Sequence, residues 1–340
     1  MIDERYQRGI GERFQEQLAS GILQPILERL QHDDTLSLEI RRDYVDIYYR
    51  GGRLLGLHQQ ARGEKFAAKF DGRYLGGHDG YTSAKPDHEP PPTVASNHDA
   101  DAWVQAFGFY KQAMDIRFCK HPKLEREYQQ AVVRDNNRHA TGDLSDYFVV
   151  DIEYAQSPSL CPQRETGFRF DMVGLRWPSA GRTRSSSAAT PVIIEMKAGD
   201  AAIASGRGPD GSGHVLPGLA KHVYDIERFL APEASGAVSE PYESLCRELQ
   251  DIFDTKRRLR LPGIPKRIAT REVEVSGGRP EVVFVIANHH PDSSVLRREL
   301  ADLPDRVHAD YYVANVAHAG YALYAKSMIP LEEFATSVGA

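Results

Sequence analysis

Four short apolar runs constrain this chain more than any other feature. Tyr147–Ala155 reads YFVVDIEYA, Gly167–Trp177 reads GFRFDMVGLRW, Pro191–Lys197 reads PVIIEMK and Glu281–Asn288 reads EVVFVIAN. They are short, rich in β-branched and aromatic residues, and bounded by polar or Gly/Pro-rich stretches, so each is expected to be a strand. The last is continuously apolar from Val282 to Ala287, which marks a strand buried on both faces. Helical patterns over 218–231 and 241–254 separate the third run from the fourth. The expected fold is therefore α/β with a mixed central sheet.

Charged residues in two of these runs stand out. Asp171 breaks FRFDMVGL, while Glu195 and Lys197 end VIIEMK. Residues two apart on a strand share a face, so Glu195 and Lys197 point the same way, with Ile193. An unpaired charge in such a place is costly unless it is paired or bound to a metal. The economical reading is a site at the mouth of the sheet, where two carboxylates converge on a hard divalent cation. The neighbouring lysine would orient an attacking water. That set suits phosphodiester hydrolysis: the cation polarises a phosphoryl oxygen and acidifies its water, and the lysine offsets charge in the transition state.

At these residues the sequence resembles the PD-(D/E)XK nuclease superfamily. Asp171 matches the motif aspartate and Glu195-Met196-Lys197 matches (D/E)-x-K, with 23 residues between Asp171 and Glu195. The order helix, three strands, helix, strand over roughly 120–290 fits that family's restriction-endonuclease-like αβββαβ core. The resemblance implies a Mg2+-dependent endonuclease, with Mn2+ as a substitute, hydrolysing nucleic acid. It favours DNA over RNA, and restriction, phage defence or repair as the setting. It also implies that the Met196 carbonyl joins Asp171 and Glu195 at the metal. Glu127, on the apolar face of a helix over 122–136, would be a third carboxylate. Glu153, alternating with Ile152 on the first strand, would be a further ligand. On the helix GLAKHVYDIERF, Lys221, His222 and Asp225 are polar candidates facing the site. His222 would contact a phosphate or a water, although many relatives carry glutamine there.

The first 100 residues read as a separate domain, with 101–340 as the nuclease-like domain. Ile10, Phe14, Leu18, Ile22, Ile26 and Leu30 recur at fourfold spacing and predict one helix over 4–30, weakened by Gly21 and Pro25. Residues 36–58 predict two or three antiparallel strands around a turn at Arg50-Gly51-Gly52-Arg53. Residues 83–100 read as a proline-rich loop. Helices are expected over 103–119, capped by Asp101, and 122–136, with Pro122 in the first turn. The connection 178–190 and the Gly-rich stretch 205–218 read as loops, the latter closing over the site. This β-rich N-terminal elaboration would recognise sequence, a modified base, a partner protein or a regulatory ligand.

Charge and cysteine content exclude several classes. With 42 basic and 48 acidic residues the net charge is −6, so a globally basic nucleic-acid coat is ruled out, but a local patch is not. Lys256, Arg257, Arg258, Arg260, Lys266, Arg267 and Arg271 form one basic stretch able to track a phosphate backbone. Arg182 and Arg184 are a second such candidate, and Tyr48, Tyr49 and Arg50 a third, by stacking on bases. Cys119, Cys161 and Cys246 fit neither a disulfide framework nor a cysteine zinc site. No HExxH or HxxxH spacing and no P-loop occur among the motifs. No apolar run approaches the roughly 18 residues of a membrane span, so a soluble, cytoplasmic protein is expected. A homodimer would account for double-strand cuts. A non-catalytic nucleic-acid-binding or scaffold protein that keeps the nuclease fold within a defence assembly is the competing class.

Overall fold

The structure is a computed structural model. It describes residues 8–60, 64–75, 86, 89–137, 144–156, 167–178, 187–204, 206–207, 215–216, 218–232, 236, 238–262, 264, 273–290, 293–315 and 320–339. Arg182, Arg184, Lys266, Arg267, Arg271 and Cys161 lie outside these residues, as does most of the Gly-rich stretch. The described residues form a mixed α/β chain, and none of their helices is long and apolar enough to cross a membrane. Two compact units divide it. The first takes residues 1–134 and 251–269, the second 135–250 and 270–340. The division falls after Arg134, where the sequence suggested residue 100, because helix 97–120 packs with the N-terminal elements.

In the first unit, α1 (Glu12–Ala19) and α2 (Gln24–His32) replace the single expected helix. Ser20 and Gly21 N–H both turn back to the Glu16 carbonyl, and Pro25 opens the second helix. The fourfold apolar pattern survives the break, since Phe14, Leu18, Ile26 and Leu30 are all buried.

Strands β1 (Leu36–Ile40), β2 (Tyr44–Tyr49), β3 (Gly52–Gln59), β4 (Phe66–Lys69) and β5 (Thr93–Val94) then form an antiparallel sheet in that order. Arg50 and Gly51, with φ of 49° and 71°, make the tight turn between β2 and β3 that a two-residue hairpin requires. Leu38, Ile47 and Leu55 align across three strands on one face.

Helix α3 (Asn97–Lys120) brings Trp103, Phe107, Tyr110, Met114 and Phe118 into the core, and Tyr110 stacks on Phe70 at 4.1 Å. It starts earlier than the sequence suggested. Ser96, not Asp101, is its cap: the Ser96 hydroxyl accepts from Asp99 N–H, and the Asp99 carboxylate accepts from Ser96 Oγ in return. Helix α4 (Leu124–Asn137) begins after Pro122, which precedes its first turn.

The second unit carries a seven-stranded mixed sheet. β6 (Tyr147–Ala155), β7 (Arg169–Arg176) and β8 (Ser187–Ala198) are antiparallel neighbours. After β8 come α5 (Asp200–Ile203), the short pair β9 (Gly206–Arg207) and β10 (Val215–Leu216), α6 (Leu219–Leu230) and α7 (Glu240–Arg258). Residues 251–258 of α7 fall in the first unit. β11 (Val273–Val275) pairs parallel with the start of β8, and β12 (Glu281–Ala287) parallel with its end. Helix α8 (Ser294–Ala301) leads to β13 (Asp310–Asn315), parallel to β12. β14 (Ile329–Pro330) closes the edge, and α9 (Leu331–Gly339) ends the chain.

β8 is longer than the sequence suggested. Ser187–Thr190 read as exposed loop, but β11 pairs with 187–189 and Ala189 is fully buried. Val192, Ile193, Ile194 and Met196 on β8 and Val282–Ile286 on β12 have no exposure at all, which makes this pair the centre of the core.

Candidate active site

The site is built on the ends of β7 and β8. Their ladder has its last pair at Met172↔Ile194. Beyond it a side chain takes over from the main chain: the Asp171 carboxylate accepts from Met196 N–H at 2.9 Å. The N–H and carbonyl of an extended residue point to the same edge, so the Met196 carbonyl also lies on the Asp171 side. On the other edge, β12 sets Phe284 level with Glu195 and Ile286 level with Lys197. Two charged residues thus stand in a row with apolar neighbours on the most buried strand of the sheet.

Glu195 has no solvent exposure, and Lys197 has 3%. Lys197 Nζ lies 3.9 Å from Glu195 Oε2. His222, three residues into the site-facing side of α6, places Nδ1 3.0 Å from the same oxygen. Both Glu195 oxygens are buried and neither has a hydrogen bond among the described residues; Oε2 meets His222 as an ion-pair contact, and Oε1 has no donor near it. Burial alone pushes the Glu195 carboxyl up. His222 first, and then Lys197, outweigh burial and hold it below its ordinary value, so the group is a carboxylate at neutral pH.

Four of the sequence candidates are therefore together: Asp171, Glu195, Lys197 and His222, with Met196 between them. Glu153 is adjacent in the sheet, because the pairs Ile152↔Met172 and Tyr154↔Phe170 set it across from Asp171. Its φ is 50°, a left-handed backbone in mid-strand. A non-glycine residue pays about 1–3 kcal/mol for such a conformation, and strain of this kind concentrates at functional sites.

Other candidates are engaged elsewhere. Glu127 belongs to the first unit, where its Oε2 takes Arg50 Nη2 at 2.9 Å. Asp225 pairs with Lys221 one turn before it on α6. Tyr49 donates to Asp115, Arg50 joins Asp115 and Glu127, and Tyr48 is buried under Arg41, so this trio packs the first unit instead of offering a stacking platform. The basic stretch is also partly used internally. Lys256 is 5% exposed and pairs with Glu39 at 3.3 Å, and Arg257 pairs with Asp254 at 3.0 Å; Arg258 and Arg260 are exposed.

The residues fit a hard divalent cation in one respect and leave it incomplete in another. A buried, ionised carboxylate oxygen without a donor is costly unless a cation sits against it. Yet no group of three His, Cys, Asp or Glu side chains is poised around a metal among the described residues. Two carboxylates and a carbonyl, completed by water, are the donors this chain offers, which is the oxygen-rich and water-retaining set that magnesium takes. Comparison with family models, curated proteins and solved structures gave no significant match to this chain.

Proposed function

We propose that the second unit is a metal-dependent phosphodiester hydrolase, a nuclease of the PD-(D/E)XK kind acting on nucleic acid, with DNA the favoured substrate. The observation that carries this reading is the convergence of Asp171, Glu195 and Lys197 from two neighbouring strands, with Glu195 Oε1 buried and lacking a donor. The succession β6, β7, β8, α6, β12 within the second unit, with β6–β8 antiparallel and β12 parallel to β8, supports a restriction-endonuclease-like core.

Asp171, Glu195 and the Met196 carbonyl would hold Mg2+ or Mn2+, with Glu153, across from Asp171 in the sheet, as an additional carboxylate. When bound, the cation supplies Lewis-acid polarisation of a phosphoryl oxygen and a more acidic water. Lys197 orients that water and offsets the negative charge that grows on the phosphoryl group. His222 positions the Glu195 carboxylate through Oε2, leaving Oε1 for the cation. The β-rich first unit supplies recognition or regulation.

A second reading, a binding or scaffold protein that retains the fold, draws on the burial of Glu195 and Lys197, which keeps both from solvent. Calorimetry with magnesium and manganese separates the two. The nuclease reading expects saturable binding that Asp171→Asn and Glu195→Gln each abolish. Absence of binding in the wild-type protein would favour the scaffold.

A further inference from the structure

A cleft of about 210 Å³ opens at the other end of the same sheet, with Arg279, Arg306, Asp310, Tyr312, Leu331 and Glu332 in its wall. It is separate from the E-x-K site. Asp310 is level with Glu281, Glu281 is level with Val192, and Val192 lies three residues before Glu195 on β8. The cleft is thus at the entry end of the parallel strands and two strands further along.

The loop that carries Arg306 is held rigid from two sides. Glu227 on α6 accepts from the N–H groups of Val307 and His308, from His308 Nδ1 at 2.8 Å and from Tyr311 Oη at 2.7 Å. Arg279 donates to the Val307 carbonyl, to the Ala309 carbonyl at 2.7 Å and to Asp310 at 2.7 Å. Seven contacts fix five residues of chain, Val307–Tyr311, which is far more than a solvated connection needs.

Arg306 is held in place by this frame but is not used by it. Its side chain is 16% exposed, and its Nη1 is buried with no hydrogen-bond partner among the described residues. Among the described residues its Nη2 reaches Glu332 Oε1, at 3.5 Å, and that side chain is 82% exposed. A buried guanidinium N–H without an acceptor is uncommon in folded proteins, and such a group calls for an ion, a water or a ligand. Asp310, the other acid of the wall, is taken by Arg279.

We propose that this cleft binds a small phosphomonoester. The phosphate displaces the loosely held Glu332 carboxylate, and the Arg306 fork uncovered by that displacement takes two phosphate oxygens. Arginine is suited to this task because its planar fork matches the oxyanion and stays charged at any working pH. α9 starts at Leu331 in the same wall, and the partial positive charge of its first turn adds to the attraction. The volume exceeds that of phosphate alone, and the half-buried Tyr312 side chain gives a sugar-sized group something to pack on. This site is independent of the hydrolase reading.

The test is calorimetric titration of the whole chain, in EDTA to keep divalent metal from the other site. The probes are ribose 5-phosphate, inorganic phosphate and acetate. Saturable binding is expected for both phosphates, tighter for ribose 5-phosphate, and none for acetate. Loss of one charge-assisted contact pair should weaken binding about tenfold or more in Arg306→Gln. Glu332→Gln, a change at an exposed side chain, should tighten it severalfold. Circular dichroism of both variants checks that they fold. Absence of saturable phosphate binding, equal affinity in folded Arg306→Gln, or no gain in Glu332→Gln would each overturn the proposal.

Discussion

His222 Nδ1 lies 3.0 Å from Oε2 of Glu195, a carboxylate with no exposure to solvent. The pair joins α6 to β8 and compensates a charge that burial would otherwise neutralise. His222→Ala leaves that charge with Lys197 alone, at 3.9 Å. The loss should be about 1–3 kcal/mol, the usual cost of stranding a buried partner. Urea denaturation at pH 7 checks it, and a midpoint equal to that of the wild-type protein would show that the contact contributes nothing.

Asp171 serves the fold and the chemistry through different features of one side chain. Its Oδ2 accepts from Met196 N–H, which an amide oxygen can also do. Asp171→Asn should therefore keep nearly wild-type stability while losing metal binding and turnover. Asp171→Ala should in addition lose about 1–2 kcal/mol, for a buried N–H left without its acceptor. Thermal melts of the two variants side by side decide this; identical melting points would mean that the bond does not support the strand end.

Acid stability has a specific source in the first unit. The Asp33 carboxyl is pushed up by burial but pulled further down, to about 2, by hydrogen bonds from Lys111 and Thr35. A carboxyl whose native pKa is depressed contributes stability that is complete above its unfolded pKa, about 4, and is lost as the pH falls through its native one. Lys111→Met should cost about 1–2 kcal/mol at pH 7 and flatten the decline between pH 4 and 2. An unchanged acid limb in the variant would refute the assignment.

The hairpin turn gives a backbone prediction. Gly51 has a φ of 71°, and a Cβ there would meet the Arg126 carbonyl carbon and oxygen at 2.5 Å. Gly51→Ala combines left-handed strain with a collision against backbone, so a destabilisation of about 1–3 kcal/mol is expected in chemical denaturation. A neutral substitution would mean that α4 gives way at no cost.

What the sequence made legible follows from how local each cause is. β6 runs over Tyr147–Ala155, the limits its apolar run suggests, and β12 ends one residue short of its run, because a continuous apolar stretch reports its own burial. The start of β8 was hidden, since SSSAAT carries no strand signal and becomes a strand only by pairing with β11 some 86 residues later. The helix at 97 was hidden by its own polar cap, which reads as loop. Charge pairing was the least legible. Glu39 pairs with Lys256 from 217 positions away, and Arg50 with Glu127 from 77, partners that no local pattern could assign to a basic run or an inward acid. Asp171, Glu195 and His222 came together because strand and helix order, not long-range charge, decides their meeting. Arg306 gave no signal, for its significance depends on a rigid loop and a donor left over.

The central claim is that Asp171, Glu195 and Lys197 form a hydrolytic centre. Its most direct test is a cleavage assay on supercoiled plasmid, linear duplex, single-stranded DNA and RNA, with magnesium, manganese or EDTA. Wild type, Glu195→Ala and Lys197→Ala run in parallel. The account predicts metal-dependent cutting of at least one substrate, abolished in Glu195→Ala and reduced at least about a hundredfold in Lys197→Ala, the scale expected for losing transition-state charge stabilisation. Cutting by Lys197→Ala at the wild-type rate, or no cutting of any substrate by a wild-type protein that also fails to bind metal, would contradict it.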